Sequence, residues 1–253
     1  MITLKSKAEV AKIEAACLIV VKTLELLEAK IKPGITTMEL DNLACDYILQ
    51  EGGIPAFKGY KGFPGNICTS INEVIVHGIP GKQVLKQADV ISIDVGVKLN
   101  GYYGDSAITF PVGEISDEAK RLLEGTLSAL YEGIDKAQPD NRLSDISYSV
   151  QKCVESNGFS VVREFVGHGI GSKMHEDPQI PNFGEPGMGP RLKAGMVFAI
   201  EPMVNLGTYK AEILDDGWTA VTKDRKLSAH FEHTIYIGED GPEILTKWRR
   251  KNP

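Results

Sequence analysis

The chain has 253 residues, with 34 acidic against 28 basic side chains and a formal net charge of −6. That length suits one large α/β or α+β domain spanning 1–253, with room for a deep pocket, and the acidic balance argues against a dedicated nucleic-acid binder. The four cysteines form no Cys-x-x-Cys pair, the N-terminus has no apolar signal core and the longest aliphatic run is "CLIVV". A disulfide framework, a zinc finger and a membrane span are therefore excluded as expectations, and the chain reads as cytoplasmic and reduced.

From Ala8 to about Lys30, Val10, Ile13, Cys17, Val20, Leu24 and Leu27 recur at three- and four-residue steps. This spacing predicts a helix with one apolar stripe, stopped by "KPG". A second helix starts at Thr36, with Glu39 at capping-box spacing, and ends at Gly52-Gly53. The glycine-rich run from Gly59 to Gly81 reads as strands and turns around a cavity wall. "ADVISIDVGVKLNGYYGDSAITFPVG" reads as a β-hairpin turning at Asn100-Gly101, a strong local hairpin signal. Two further helices are expected, at about Asp117 to Lys136 and Ser144 to Asn157, then a second β-rich section. "LKQADVISID" and "LKAGMVFAIE" share length and pattern, each an apolar strand ending in a carboxylate. With the repeated helix-then-sheet order, this suggests two related halves around a shared site. The basic run "TKWRRKNP" reads as a solvated tail, with an RNA or ribosome contact as the less favoured reading.

Asp94 follows the apolar run Val90 to Ile93, and Glu201 follows Met196 to Ile200. A carboxylate buried by such a strand must be paired, hydrogen-bonded or bound to a metal. With Asn100 and Gly101 as the turn, Asp105 faces Gly96, so Asp94 and Asp105 become diagonal neighbours on one face. Two close carboxylates repel unless a proton or cation lies between them. No lysine or arginine is expected on that face, so a divalent cation is the simpler solution. Glu232 lies among Phe231, Ile235 and Ile237, another carboxylate in apolar company. Such oxygen-rich sites with one imidazole suit Mn, Fe, Co or Zn. Four carboxylates carry charge enough for two divalent ions about 3.5 Å apart. His230 and His233 flank Glu232 and are read as pointing away from its face, structural or exposed.

"VHGIP", "IDVGVKLNGYYGDSA", "GHGIG", "MHEDP", "FAIEP" and "FEHT", in this order along nearly the whole chain, resemble the type I methionine aminopeptidases. The resemblance implies the pita-bread fold, an α/β (α+β) arrangement of two pseudo-symmetric halves with antiparallel sheet inside and helices outside. It implies a single catalytic domain holding two divalent metal ions (Co, Mn, Fe, Zn or Ni) on Asp94, Asp105, His168, Glu201 and Glu232. It further implies removal of the initiator methionine from nascent polypeptides with a small second residue. In that chemistry a metal-bridged hydroxide attacks the first peptide carbonyl, Glu201 carries the proton and His175 assists the oxyanion. His77 and His175 contact the substrate, and Phe57, Tyr60, Phe63, Cys68 and Trp218 form the methionine pocket. A cytoplasmic monomer is implied, with no membrane or sequence-specific nucleic-acid partner. Two alternatives differ in class. A prolidase-like peptidase would prefer X-Pro substrates, and a binding protein with inactive metal chemistry would release no methionine whatever metal is added.

Overall fold

A computed structural model describes residues 2–248. Helix α1 (Lys7–Glu28) opens with a capping box between Ser6 and Glu9, a start signal the apolar spacing alone does not reveal. Helix α2 (Thr37–Gln50) begins with the expected box, Thr36 accepting from Glu39 N–H while the Glu39 carboxylate takes the Thr36 N–H at 2.8 Å. Five strands follow: β1 (Ile54–Pro55), β2 (Cys68–Ile71), β3 (Val74–Val76), β4 (Val90–Leu99) and β5 (Tyr102–Pro111). β4 is central, pairing antiparallel with β1, β2 and β5.

The hairpin has the expected register, with Leu99 opposite Tyr102, Gly96 opposite Asp105 and Asp94 opposite Ala107. Asp94 and Asp105 are thus diagonal neighbours. One expectation needs correction: Asp94 does not end its strand. It sits mid-strand, because the apolar run resumes at Val95 and Val97 beyond it.

The second half repeats the plan. α3 (Asp117–Asp135) and α4 (Leu143–Ser156) are followed by β6 (Ser160–Val161), β7 (Gly167–Gly169), β8 (Glu176–Ile180), β9 (Val197–Ile200) and β10 (Met203–Asn205). Then come β11 (Ala211–Ile213), β12 (Ala220–Thr222), β13 (Ser228–His230), β14 (His233–Ile237) and β15 (Pro242–Ile244). The largest sheet here runs β15-β14-β9-β7-β8, every pair antiparallel.

Each half has its own apolar core, where a helix pair buries its stripe against a sheet. Leu24 and Leu27 of α1, with Leu40 and Ile48 of α2, pack with Ile91 and Ile93 of β4. Leu122 and Leu130 of α3, with Val150 and Val154 of α4, pack with Phe198 and Ile200 of β9 and Ile235 of β14. Leu85 and Leu192, which open the two similar ten-residue segments, are buried in the first and second core respectively.

Hydroxyl side chains stitch the halves along β5. Thr109 Oγ1 accepts from His230 N–H and donates to His230 C=O, both at 2.9 Å. Glu232 N–H reaches Ala107 C=O at 2.9 Å, and Ser106 Oγ donates to Glu232 C=O at 2.5 Å. Thr234 Oγ1 donates to Asp105 C=O at 2.7 Å and accepts from Asp105 N–H at 3.2 Å. This seam sets Asp105 and Glu232 side by side. His233, on the other side of the same segment, is fully buried, with Nδ1 3.0 Å from Thr246 Oγ1 and its ring 3.9 Å from that of Trp248. Its structural reading therefore holds, but it is not exposed. The start of the basic run is likewise no solvated tail, since Thr246 is buried and Trp248 packs on Phe231 and His233. The rest of that run, 249–253, lies outside the described residues.

Thr234→Val removes the hydroxyl that serves both backbone groups of Asp105, leaving buried polar groups short of a partner. It is expected to lower unfolding free energy by about 2 kcal/mol, checked by urea denaturation of the metal-free chain; an unchanged midpoint would show that the seam carries no stability.

Candidate metal centre

Every residue that the resemblance assigns to the metal, the substrate or the methionine pocket lines one cavity, about 650 Å³ including its open mouth. Its floor is carboxylate. Asp94 and Asp105 come from the β4–β5 hairpin, Glu201 from the end of β9 and Glu232 from the short break between β13 and β14. Ligand atoms of Asp105, His168 and Glu232, all three buried, lie within 4.8 Å of one another. His168 Nε2 stands 3.7 Å from Asp105 Oδ2 and 3.6 Å from Glu201 Oε1.

His168 sits in β7, squeezed between β8 and β9. A side chain at Gly169 would bring its Cβ to 2.2 Å from Asp177 C=O, and one at Gly167 would come to 2.5 Å from Ala199 C=O. The two glycines therefore let the neighbouring backbones close on the histidine. His168 Nδ1 lies 3.0 Å from Gly169 C=O. A carbonyl only accepts, so Nδ1 carries the proton and Nε2 turns a lone pair toward the carboxylates. A lone pair facing two carboxylate oxygens repels them unless a cation or proton stands between.

Burial raises all four carboxylates. Asp94 is pushed up to about 7, held back by hydrogen bonds from Asp105 and Cys68. Asp105, Glu201 and Glu232 are raised well above the ordinary range by burial first, and then by neighbouring carboxylates, the charge of Asp94 acting on all three. Burial also keeps His168 neutral, lowering it to about 3. Asp94 Oδ1, Asp105 Oδ1 and Glu232 Oε1 are buried without hydrogen-bond partners. Orphaned acceptors, a tautomer-fixed imidazole and a shared focus fit a divalent cation. A lysine does alternate onto the aspartate face, contrary to expectation. Lys98 nevertheless lies with Nζ 5.4 Å from the Tyr103 ring centre, and among the described residues no lysine or arginine pairs with the four carboxylates.

Above the floor the wall turns apolar. Phe57, Phe63, Cys68 and Met174 form one buried cluster, with Tyr60 and Trp218 packed on it. Phe63 meets Trp218 edge-on at 5.2 Å. Gly96 makes room for this wall, since a Cβ there would lie 2.6 Å from Phe57 and 2.8 Å from Met174. His77 has φ 60, a left-handed backbone rare outside glycine, and its ring stands edge-on to Phe165 at 5.4 Å and Trp218 at 6.3 Å. His175 stands at the exposed mouth, its Nδ1 2.9 Å from the Tyr60 hydroxyl and its ring 4.2 Å from that of His168.

Two features escape sequence reading. Lys5, almost wholly buried, reaches Glu176 at 2.5 Å, and the other oxygen of Glu176 accepts from Lys173 N–H at 3.1 Å. This pair ties the N-terminal segment to the loop that carries His175. His230, read as pointing away from Glu232's face, is instead buried with Nε2 3.7 Å from Glu201 Oε2. The correction has a simple reason. His230 lies two positions before Glu232, and strand alternation returns position i+2 to the same face.

A sequence model of metallopeptidase family M24 matches residues 11–239. Methionine aminopeptidase 1 of Bacillus subtilis is 58% identical over 98% of this chain and 100% of its own length. The chain belongs to the methionine aminopeptidases of metallopeptidase family M24. The crystal structure of the methionine aminopeptidase from Rickettsia prowazekii superposes with a TM-score of 0.97 at 43% identity, covering 98% of this chain and 100% of that one. The prolidase from Pyrococcus furiosus, at 24% identity, shares the fold alone, with a TM-score of 0.81 over 98% of this chain and 66% of that one. The pita-bread architecture expected from the sequence is therefore present.

Raised carboxylates give metal binding a signed pH dependence. In the metal-free folded chain these groups hold protons that the unfolded chain loses by about pH 4 to 5. Their contribution to stability is full below the unfolded values and falls as pH rises through about 7, where Asp94 ionises. Bound metal replaces those protons, so thermal stabilisation by added Mn²⁺ is expected to be larger at pH 8 than at pH 5.5. Calorimetry in buffers of differing ionisation enthalpy should show protons released on binding at pH 7. Metal uptake without proton release would contradict this picture.

Proposed function

We propose that this chain removes the initiator methionine from polypeptides whose second residue is small, acting as one catalytic domain in the cytoplasm, as a monomer, with two divalent ions. One observation carries the reading. A focus of buried carboxylates and one imidazole adjoins an apolar recess in a single cavity, so the reacting bond and an unbranched thioether side chain can be held together. Identity to methionine aminopeptidases over nearly the whole chain supports the same conclusion.

Asp94, Asp105, His168, Glu201 and Glu232 would hold the metal, which supplies Lewis acidity and an activated water. Phe57, Phe63, Cys68 and Trp218 surround the methionine side chain, which sulfur and aromatic edges suit. His77 reaches the substrate from the rim. Desolvation by the walls of the cavity mouth, together with the charges of Lys61 and His77, lowers His175 to about 4, so it is neutral at pH 7 although one edge of the ring meets solvent. A neutral imidazole carries one proton. With the Tyr60 hydroxyl donating to Nδ1, that proton lies on Nε2, directed at the oxygen that gains charge as the carbonyl is attacked. Glu201, raised by burial, takes a proton readily and returns it to the leaving amine.

The decisive experiment is hydrolysis of Met-Ala-Ser by metal-free chain with each metal restored in turn, beside an X-Pro dipeptide. Metal-dependent release of methionine with little X-Pro cleavage is the expected result; no release with any metal would favour a binding role. Glu201→Gln should lower kcat by about 10³-fold. His168→Ala should weaken metal binding by about 10-fold or more, whereas His175→Ala should lower kcat by about 10²-fold with metal still bound. Equal metal loss in both histidine variants would end the division of roles.

Tyr60→Phe removes the donor to His175 Nδ1 and keeps the ring that lines the pocket. A fall in kcat of about 10-fold, with KM little changed, is expected from steady-state kinetics. A rise in KM alone would assign Tyr60 to the pocket and not to the histidine.

A further inference from the structure

His230 is a buried imidazole that the proposed chemistry leaves unused. Its backbone is fixed on both sides, by pairing with Met203 and by the Thr109 hydroxyl, so its side chain has one direction to point. That direction leads to the site. Nε2 is buried with no hydrogen-bond partner among the described residues, and it lies 3.7 Å from Glu201 Oε2. On the other side of the same carboxylate, His168 Nε2 lies 3.6 Å from Oε1. Glu201 is therefore bracketed by two imidazoles, one at each oxygen.

The two imidazoles differ in what they can offer. His168 has its proton on Nδ1, committed to Gly169 C=O, so toward Glu201 it presents a lone pair. His230 Nε2 is free to carry a proton, and an unpaired nitrogen buried beside a carboxylate gains by donating to it. The present separation exceeds hydrogen-bond length by a few tenths of an ångström, a gap that a small side-chain rotation closes. A carboxylate held by one oxygen keeps the other for the metal, the arrangement by which outer partners fix metal-binding side chains.

We propose that His230 is a positioning residue for Glu201: its Nε2–H holds Oε2, and Oε1 is thereby left turned toward His168 Nε2 and the metal. This rests on Glu201 serving as a metal ligand and proton carrier, as proposed above.

The test uses the full chain, Mn²⁺ as the metal probe and Met-Ala-Ser as substrate. His230→Leu is expected to weaken Mn²⁺ binding, read by calorimetry, by about 10- to 100-fold, and to lower kcat more than it raises KM. His230→Gln, whose amide can donate in place of the imidazole, should recover most of both. In a Glu201→Ala background, His230→Leu should change Mn²⁺ affinity little, because the group it acts on has gone. Wild-type affinity and turnover in His230→Leu, no recovery in His230→Gln, or an undiminished loss in the Glu201→Ala background would each overturn the proposal. If His230→Leu lacks native far-ultraviolet circular dichroism, His230→Asn, polar but too short to reach Oε2, takes its place with the same expected loss, and wild-type affinity there overturns it equally. Unchanged metal binding and turnover in Glu201→Gln alone would instead remove Glu201 from the site, a failure separable from that of His230.

Discussion

Four carboxylates lining one cavity, three of them gathered about one imidazole, are the constraint around which this fold is arranged. Gathered in a protein interior without a cation or shared protons, such charges would oppose folding strongly. The structure does not scatter them. It brings two from the first half and two, with the histidine, from the second, and it holds the backbones of Asp105 and Glu232 by hydrogen bonds across the halves. The seam of Thr109, Ser106 and Thr234 along β5 sets Asp105 and Glu232 in register across the halves. The charged centre is therefore backed by one apolar core behind each sheet.

The cavity grades from charge to apolar surface to solvent, and the grading follows the chain. β4 supplies both kinds of surface: Asp94 faces the charged floor, and Gly96, two residues on, clears space for Phe57 and Met174. A two-residue step returns to the same face, so one strand places the reacting centre beside the recess that would recognise a side chain. Under the proposed function, a methionine seated in that recess has its neighbouring backbone over the carboxylates, so a change in β4 register would displace recess and carboxylates together.

Much of this was legible in the sequence because it is local. The Asn100-Gly101 turn fixes the hairpin register, and the register places Asp94 diagonal to Asp105. Thr36 and Glu39 announce α2, and apolar spacing marks α1 within two residues of its ends. The failures share a different cause. The bond from Lys5 to Glu176 joins positions 171 residues apart, and no local rule links them. Lys98 shares a face with Asp94 by alternation, yet the nearby Tyr103 ring draws its ammonium aside. His230 and His233 differ although both flank Glu232, because a neighbour and a next-but-one neighbour lie on opposite faces of an extended chain. Thr246 and Trp248 looked like a charged tail because the basic residues beside them outweighed what a buried hydroxyl and an indole can pack against.

The two histidines at the centre show why residue type alone does not define a role. The rings of His168 and His175 lie 4.2 Å apart, and both are neutral near pH 7. What separates them is the partner of Nδ1. A carbonyl, which can only accept, holds His168 with its proton on Nδ1 and its lone pair at Nε2, the form a metal requires. A phenol, which can donate, meets Nδ1 of His175 and leaves Nε2 able to carry the proton, the form a developing oxyanion requires. Their places in the fold differ in the same sense: His168 lies within β7, pressed between strands where glycines permit it, whereas His175 lies just before β8 at the mouth of the cavity.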